Sequence, residues 1–175
     1  GPIGSAILPG LSRLQDQPTR WKALYLDGLS VVSIVSAVIT AIMVASAEPI
    51  VTIVLGQGWQ KAGEILQVLS ISSFFSSPAN TCGWIFISPG RIGRMVKWTF
   101  LATPIFVASF VVGVAYGPLG VAYAYLFAMV FIGPSYFLFS IKGTPLSHLD
   151  IIHAVLPPTI IGCLSAAVGL LIKSQ

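Results

Sequence analysis

The sequence predicts an all-α, polytopic membrane bundle of about five spanning helices, delimited by the roughly 20-residue length that a bilayer demands. Three observations predict it. Of 175 residues, 55% are hydrophobic and only 8% charged, where soluble proteins carry about 25% charge. The charges are spaced so that uncharged stretches of bilayer length separate them. Within those stretches, small and hydroxyl-bearing residues gather on one helical face.

Charges serve as rulers, because an ionised side chain at the centre of a bilayer costs roughly 2.5 to 3.5 kcal/mol. Asp27 and Glu48 enclose the first span, residues 28–47, and Glu64 and Arg91 enclose the second, residues 65–88. The gap from Lys97 to Lys142 is too long for one helix, and Gly117-Pro118-Leu119-Gly120 divides it into residues 98–116 and 119–140, since proline lacks an amide hydrogen and glycine loosens the backbone. Asp150 and Lys173 enclose the last span, residues 151–172.

The connections complete the plan. Residues 1–9 read as the end of a preceding helix, 10–27 as a cytoplasmic amphipathic connection, and 48–64 as an outer connection. The apolar run PIVTIVLGQGW, with Trp59 near its end, favours a position along the membrane interface. Arg13, Arg20, Lys22, Arg91, Arg94, Lys97 and Lys142 fall on one side of this topology, and Lys61 and Lys173 on the other. That asymmetry predicts that the loops near Arg91 and Lys142 are cytoplasmic.

The helix faces say where protein packs on protein. In the first span Ser30, Ser33, Ser36, Ala37, Thr40, Ala41 and Ala47 share one side, opposite Val31, Val35, Val38, Ile39 and Ile42. Small residues let backbones approach, so the small side is expected to pack and the branched side to meet lipid. Gly120, Ala124 and Ala128 form a similar ridge in the fourth span, as do Gly162, Ala166 and Gly169 in the fifth. The second span is the most polar: Ser70, Ser73, Ser76, Ser77, Asn80 and Thr81 lie within one broad face. An asparagine in hydrocarbon must find hydrogen-bond partners, on a neighbouring helix or in a hydrated cavity. Ser73, Ser77, Asn80 and Thr81 are therefore the candidates for a substrate pathway.

Several function classes are disfavoured. The basic residues are scattered through short connections rather than gathered into the patch that nucleic acid requires, so no nucleic-acid partner is expected. Cys82 and Cys163 lie in apolar runs and read as buried free thiols. His148 and His153 are five residues apart and read as interfacial side chains rather than metal ligands. No phosphate-binding glycine loop or nucleophile–base set is visible, so neither an enzyme nor a cofactor or metal is expected.

Four segments carry a family resemblance. ILPGLSRLQDQPTRWKALYLDGL, AEPIVTIVLGQGWQKAGEILQVLSI, SPGRIGRMVK and YGPLGVAYAYLFA resemble, in order and spacing, segments of Wzx-type polysaccharide biosynthesis flippases, within the multidrug/oligosaccharidyl-lipid/polysaccharide exporter superfamily. The resemblance implies part of the second lobe of a two-lobed transporter, with a first lobe before this chain and at least one helix after Lys173. It implies export of an undecaprenyl-pyrophosphate-linked oligosaccharide across the bacterial inner membrane by alternating access, with Na+ or H+ as coupling ion and polysaccharide polymerase machinery as a partner. A pyrophosphate needs cations, and none lies mid-span, so the substrate-binding cations are expected in the first lobe, with Arg91 and Arg94 as candidates for first contact at the cytoplasmic mouth. Two alternatives stand beside it: a cation-coupled multidrug exporter of the same superfamily, which calls for intramembrane Asp or Glu, and a membrane-embedded glycosyl-transferring enzyme of the same pathway.

Overall fold

The computed structural model describes the backbone of residues 2–173 and the side chains of residues 4–160 and Gly162. Every regular element among them is a helix: α1 (Pro2–Arg13), α2 (Pro18–Leu55), α3 (Gln60–Asn80), α4 (Cys82–Ile87), α5 (Ile92–Val114), α6 (Gly117–Ser140) and α7 (His148–Lys173). The long helices stand in a row in the order α7, α2, α3, α6, α5, and α1 leans on α2 and α4. Three of them, α2, α5 and α6, are long and apolar enough to cross a membrane. The second expected span is carried by α3 and α4 together, and the fifth by α7.

Packing follows the small faces. In α2 the buried side comprises Ser33, Ala37, Val44 and Ala47, whereas Val31, Ile34, Val35, Val38, Ile39 and Ile42 are exposed. Gly162 brings α7 against that side: a Cβ there would lie 2.9 Å from Ala37 Cβ. The α5–α6 hairpin closes on its own ridge, where a Cβ on Gly113 would lie 2.9 Å from both the Gly120 carbonyl and Ala124 Cβ. Close backbone approach of this kind is what joins helices in lipid, where apolar association adds little. The expected ridge members Ala166 and Gly169, and the thiol of Cys163, lie outside the described side chains. Cys82 is a buried free thiol.

Two connections differ from expectation. Helix α1 continues through Pro9 to Arg13 and α2 begins at Pro18, so the link expected over residues 10–27 narrows to 14–17. Pro18 starts the helix because its missing amide hydrogen is one the first turn does not need. The first turns of α2 are amphipathic nonetheless, with Trp21 and Tyr25 buried and Arg20 and Asp27 exposed. At the other end α2 runs through Pro49 to Leu55, taking up half of the connection expected over 48–64. It stops at Gly56, whose φ of 87° an L side chain rarely adopts. At 38 residues α2 is about 57 Å long, well beyond a hydrocarbon core of about 30 Å.

The division of the second span has a local cause. Pro78 supplies no amide hydrogen, and the Thr81 N–H turns back to the Pro78 carbonyl at 3.0 Å, tightening the helix into a 3₁₀-like step between α3 and α4. The buried core of the molecule gathers at that step's side of the bundle: Leu11, Trp21, Tyr25, Leu29, Ile85, Ile141, Leu146 and Ile151 pack together. The opposite surface is apolar and open, with Phe100 77% and Val111 69% exposed on α5. Apolar exposure on this scale belongs to a membrane-embedded surface.

Candidate functional site

The last turn of α3, the first half of α5 and the second half of α6 enclose a cleft of about 300 Å³. Its polar lining is Ser76, Asn80, Thr99, Thr103 and Tyr136, over small residues Ala79, Ala102 and Gly133. The hydroxyls are already oriented. Thr99 Oγ1 donates to the Met95 carbonyl at 3.1 Å, Thr103 Oγ1 to the Thr99 carbonyl at 2.7 Å, and Ser76 Oγ to the Ser73 carbonyl at 3.3 Å. Each of these three hydroxyls thereby spends its one hydrogen on its own helix and presents oxygen lone pairs. Asn80, exposed and making no hydrogen bond among the described residues, adds both amide donors and a carbonyl acceptor. The lining holds no ionised group, so the cleft suits a neutral, hydroxyl-rich solute or water.

The expected pathway residues separate. Asn80 lines the cleft. Thr81 faces the other way and is buried: its Oγ1 donates to the Pro78 carbonyl at 2.7 Å and meets the Tyr25 hydroxyl at 3.0 Å. Ser73 is exposed and bonded to the Leu69 carbonyl at 3.0 Å, and Ser77, half-buried, does not line the cleft. The polar face of the second span thus serves two neighbours, because an arc that wide bridges the gap between α2 on one side and α5 with α6 on the other. The threonines of α5 escaped the sequence reading. Their spacing, four residues apart on one helical face, was the available signal.

At one end of the bundle, Arg91 and Arg94 close over the exit of α6. Arg91 donates to the Gly143 carbonyl at 2.9 Å, and Arg94 to the carbonyls of Lys142 and Phe139. The Phe139 carbonyl is one that the end of α6 leaves without an amide partner, Lys142 and Gly143 follow just beyond the helix, and cations favour that end of the dipole. The Arg94 guanidinium also sits 5.4 Å from the Phe139 ring centre and 5.9 Å from that of Phe86. Beneath it Trp98 stacks on Tyr136 at 5.3 Å.

The same end ties α2 to α7. Lys22 Nζ lies 2.6 Å from the Asp150 carboxylate. Ser147 and Asp150 also form a capping box: Leu149 N–H donates to Ser147 Oγ at 3.1 Å, and Ser147 N–H to the Asp150 carboxylate at 2.7 Å. The Lys22 hydrogen bond, then that of Ser147, holds the Asp150 carboxyl below its usual range. His148 and His153 are both exposed.

At the far end lies a carboxylate that the charge spacing had placed just outside the first span. Because α2 continues past it, Glu48 is inside the helix, half-buried against α3, where a Cβ on Gly63 would lie 3.1 Å from Glu48 Cγ.

Comparison with known proteins agrees with the resemblance. A family model described as "Polysaccharide biosynthesis protein" matches residues 1–64. The lipopolysaccharide biosynthesis protein WzxC of Escherichia coli (strain K12) is 25% identical over 130 residues, which cover 73% of this chain and 26% of WzxC. The chain therefore spans about a quarter of the length of this relative. No solved structure matches it. Both matches are to polysaccharide biosynthesis proteins, and they support the resemblance to Wzx-type flippases over part of this chain.

Proposed function

We propose that this chain forms part of the second lobe of a transporter that carries a lipid-linked oligosaccharide across the bacterial inner membrane, and that the cleft around Asn80 lies on the path of the sugar. The match to WzxC is the observation that carries the substrate class. The chemistry of the cleft supports the path: hydroxyl oxygens from Ser76, Thr99 and Thr103 with the amide of Asn80 offer acceptors and donors without charge, which is what a sugar's hydroxyls exchange when they leave water. Transport, rather than catalysis, is the role this arrangement serves.

Alternating access requires an element that can bend or slide. The α3–α4 step interrupts a helix inside the bundle and is the candidate for such an element, with Asn80 on its cleft side and Thr81 buried behind it. On this reading Arg91 and Arg94 form the mouth, at the end of the bundle for which the charge asymmetry supports a cytoplasmic position. Mid-span cations for the pyrophosphate belong, on this reading, to another part of the transporter. Transport of a lipid-linked oligosaccharide by the whole transporter in vesicles, with and without the Asn80 amide, tests the proposal.

Glu48 favours a second reading, in which the same fold couples transport to Na+ or H+. A carboxylate half-buried between α2 and α3 can bind a cation in one arrangement of the helices and release it in another.

A further inference from the structure

The end of the α5–α6 hairpin carries four cations in a small space: Arg91, Arg94 and Lys97 on successive turns at the start of α5, and Lys142 just after α6. The two guanidiniums converge. From the position of a Cβ on Gly143, Arg91 Nη1 is 3.4 Å away and Arg94 Nη1 3.8 Å away. Like charges this close repel, and among the described residues no carboxylate pairs with either of them. The carbonyls of Phe139, Lys142 and Gly143 supply only part of the compensation and leave most N–H donors of both groups uncommitted. Lys97 and Lys142 are exposed, and their ammonium groups make no hydrogen bond among the described residues.

The depth of this cluster identifies its ligand. Helices α5 and α6, both long and apolar enough to cross a membrane, begin and end here. The stacked pair Trp98–Tyr136 lies directly inward, where amphipathic rings mark the headgroup level. Next to these rings, Phe100 and Leu101 expose apolar surface. An anion that reaches two forked guanidiniums at this level while leaving its apolar part along α5 is the phosphate of a membrane lipid. We infer that Arg91, Arg94, Lys97 and Lys142 form a binding site for the headgroup phosphate of an anionic phospholipid, which fixes the α5–α6 hairpin against the leaflet surface.

The inference is independent of the cleft and of the transported substrate. The full-length protein in neutral detergent is titrated with labelled phosphatidylglycerol and, separately, with phosphatidylcholine. The site predicts a preference for phosphatidylglycerol that falls about fivefold for each charge removed near the surface. Arg91→Gln with Arg94→Gln is the direct variant. Because these arginines also tie down the end of α6, Lys97→Gln with Lys142→Gln is the second, and it disturbs no hydrogen bond among the described residues. Both pairs should lose the preference, and millimolar inorganic phosphate should fail to displace the bound lipid. Equal binding of the two lipids, an unchanged preference in the lysine pair, displacement by inorganic phosphate, or binding only of a lipid diphosphate would each overturn the assignment.

Discussion

The hydroxyl of Tyr25 donates a hydrogen bond to Thr81 Oγ1 at 3.0 Å, and both side chains are buried. The direction follows from bookkeeping of one hydrogen: Thr81 gives its own to the Pro78 carbonyl, so Tyr25 must supply the proton between them. A residue in the second turn of α2 thereby holds the step that divides α3 from α4. Tyr25 is itself fixed by stacking on Trp21 at 5.7 Å, and Trp21 in turn donates to Ser88 Oγ at 3.3 Å.

Removing the two partners should have unequal effects. Tyr25→Phe deletes the donor and leaves Thr81 with its bond to Pro78, at a cost of about 1 kcal/mol. Thr81→Val strands the Tyr25 hydroxyl in the core, although the Pro78 carbonyl keeps its bond from the residue-81 N–H, and this should cost about 1 to 3 kcal/mol. Denaturant titration of the detergent-solubilised protein, followed by tryptophan fluorescence, measures both. Equal losses would mean that Tyr25 is not the donor.

Asn80→Leu should impair transport more than folding, because Asn80 is exposed to the cleft and makes no hydrogen bond among the described residues. Thr103→Val, which removes one acceptor oxygen from the same lining, should impair it less. Membrane level and transport rate are measured together. A variant that reaches the membrane at parental level and transports at parental rate would remove Asn80 from the solute path.

The sequence foretold the packing more fully than the site. The small side of α2 was readable because Ser33, Ala37 and Ala47 recur at helical spacing, and those are the residues buried. The α5–α6 turn was readable because Gly117 admits the positive φ of 77° that the turn needs, and Pro118 fixes a φ suited to the first turn of a helix. The length of α2 was not, since charges marked its limits and a helix can carry Glu48 and Pro49 without breaking. The division of the polar face was also hidden. Thr81 turns away from Asn80 because of Tyr25, which lies 56 residues earlier, and no local pattern records that contact.

Acid should loosen the tie between α2 and α7. Asp150 has its pKa lowered from 3.8 by Lys22 and Ser147, so it is the unfolded chain that binds the proton first as pH falls. The stabilisation is complete above the ordinary carboxylate value and is lost as pH drops through the lower, folded value. Thermal unfolding in detergent from about pH 5 to about pH 3 should show a fall in Tm that Asp150→Asn flattens. An identical pH dependence in the variant would show that Lys22 and Asp150 contribute nothing to it.

If transport is ion-coupled, Glu48 is the carboxylate to change. Glu48→Gln keeps the shape that packs on Gly63 while removing the charge. It should abolish stimulation of transport by an imposed Na+ or H+ gradient and leave gradient-free equilibration of substrate in place. Stimulation at the parental level would exclude Glu48 from coupling.

The most direct test of the whole account is reconstitution of the full-length protein in vesicles loaded on one leaflet with a fluorescent lipid-linked oligosaccharide, with leaflet exchange followed by quenching from outside. The account predicts exchange that depends on the protein and falls in Asn80→Leu without loss of protein from the vesicles. Exchange no faster than in protein-free vesicles, or exchange of ordinary phospholipid at the same rate, would contradict it.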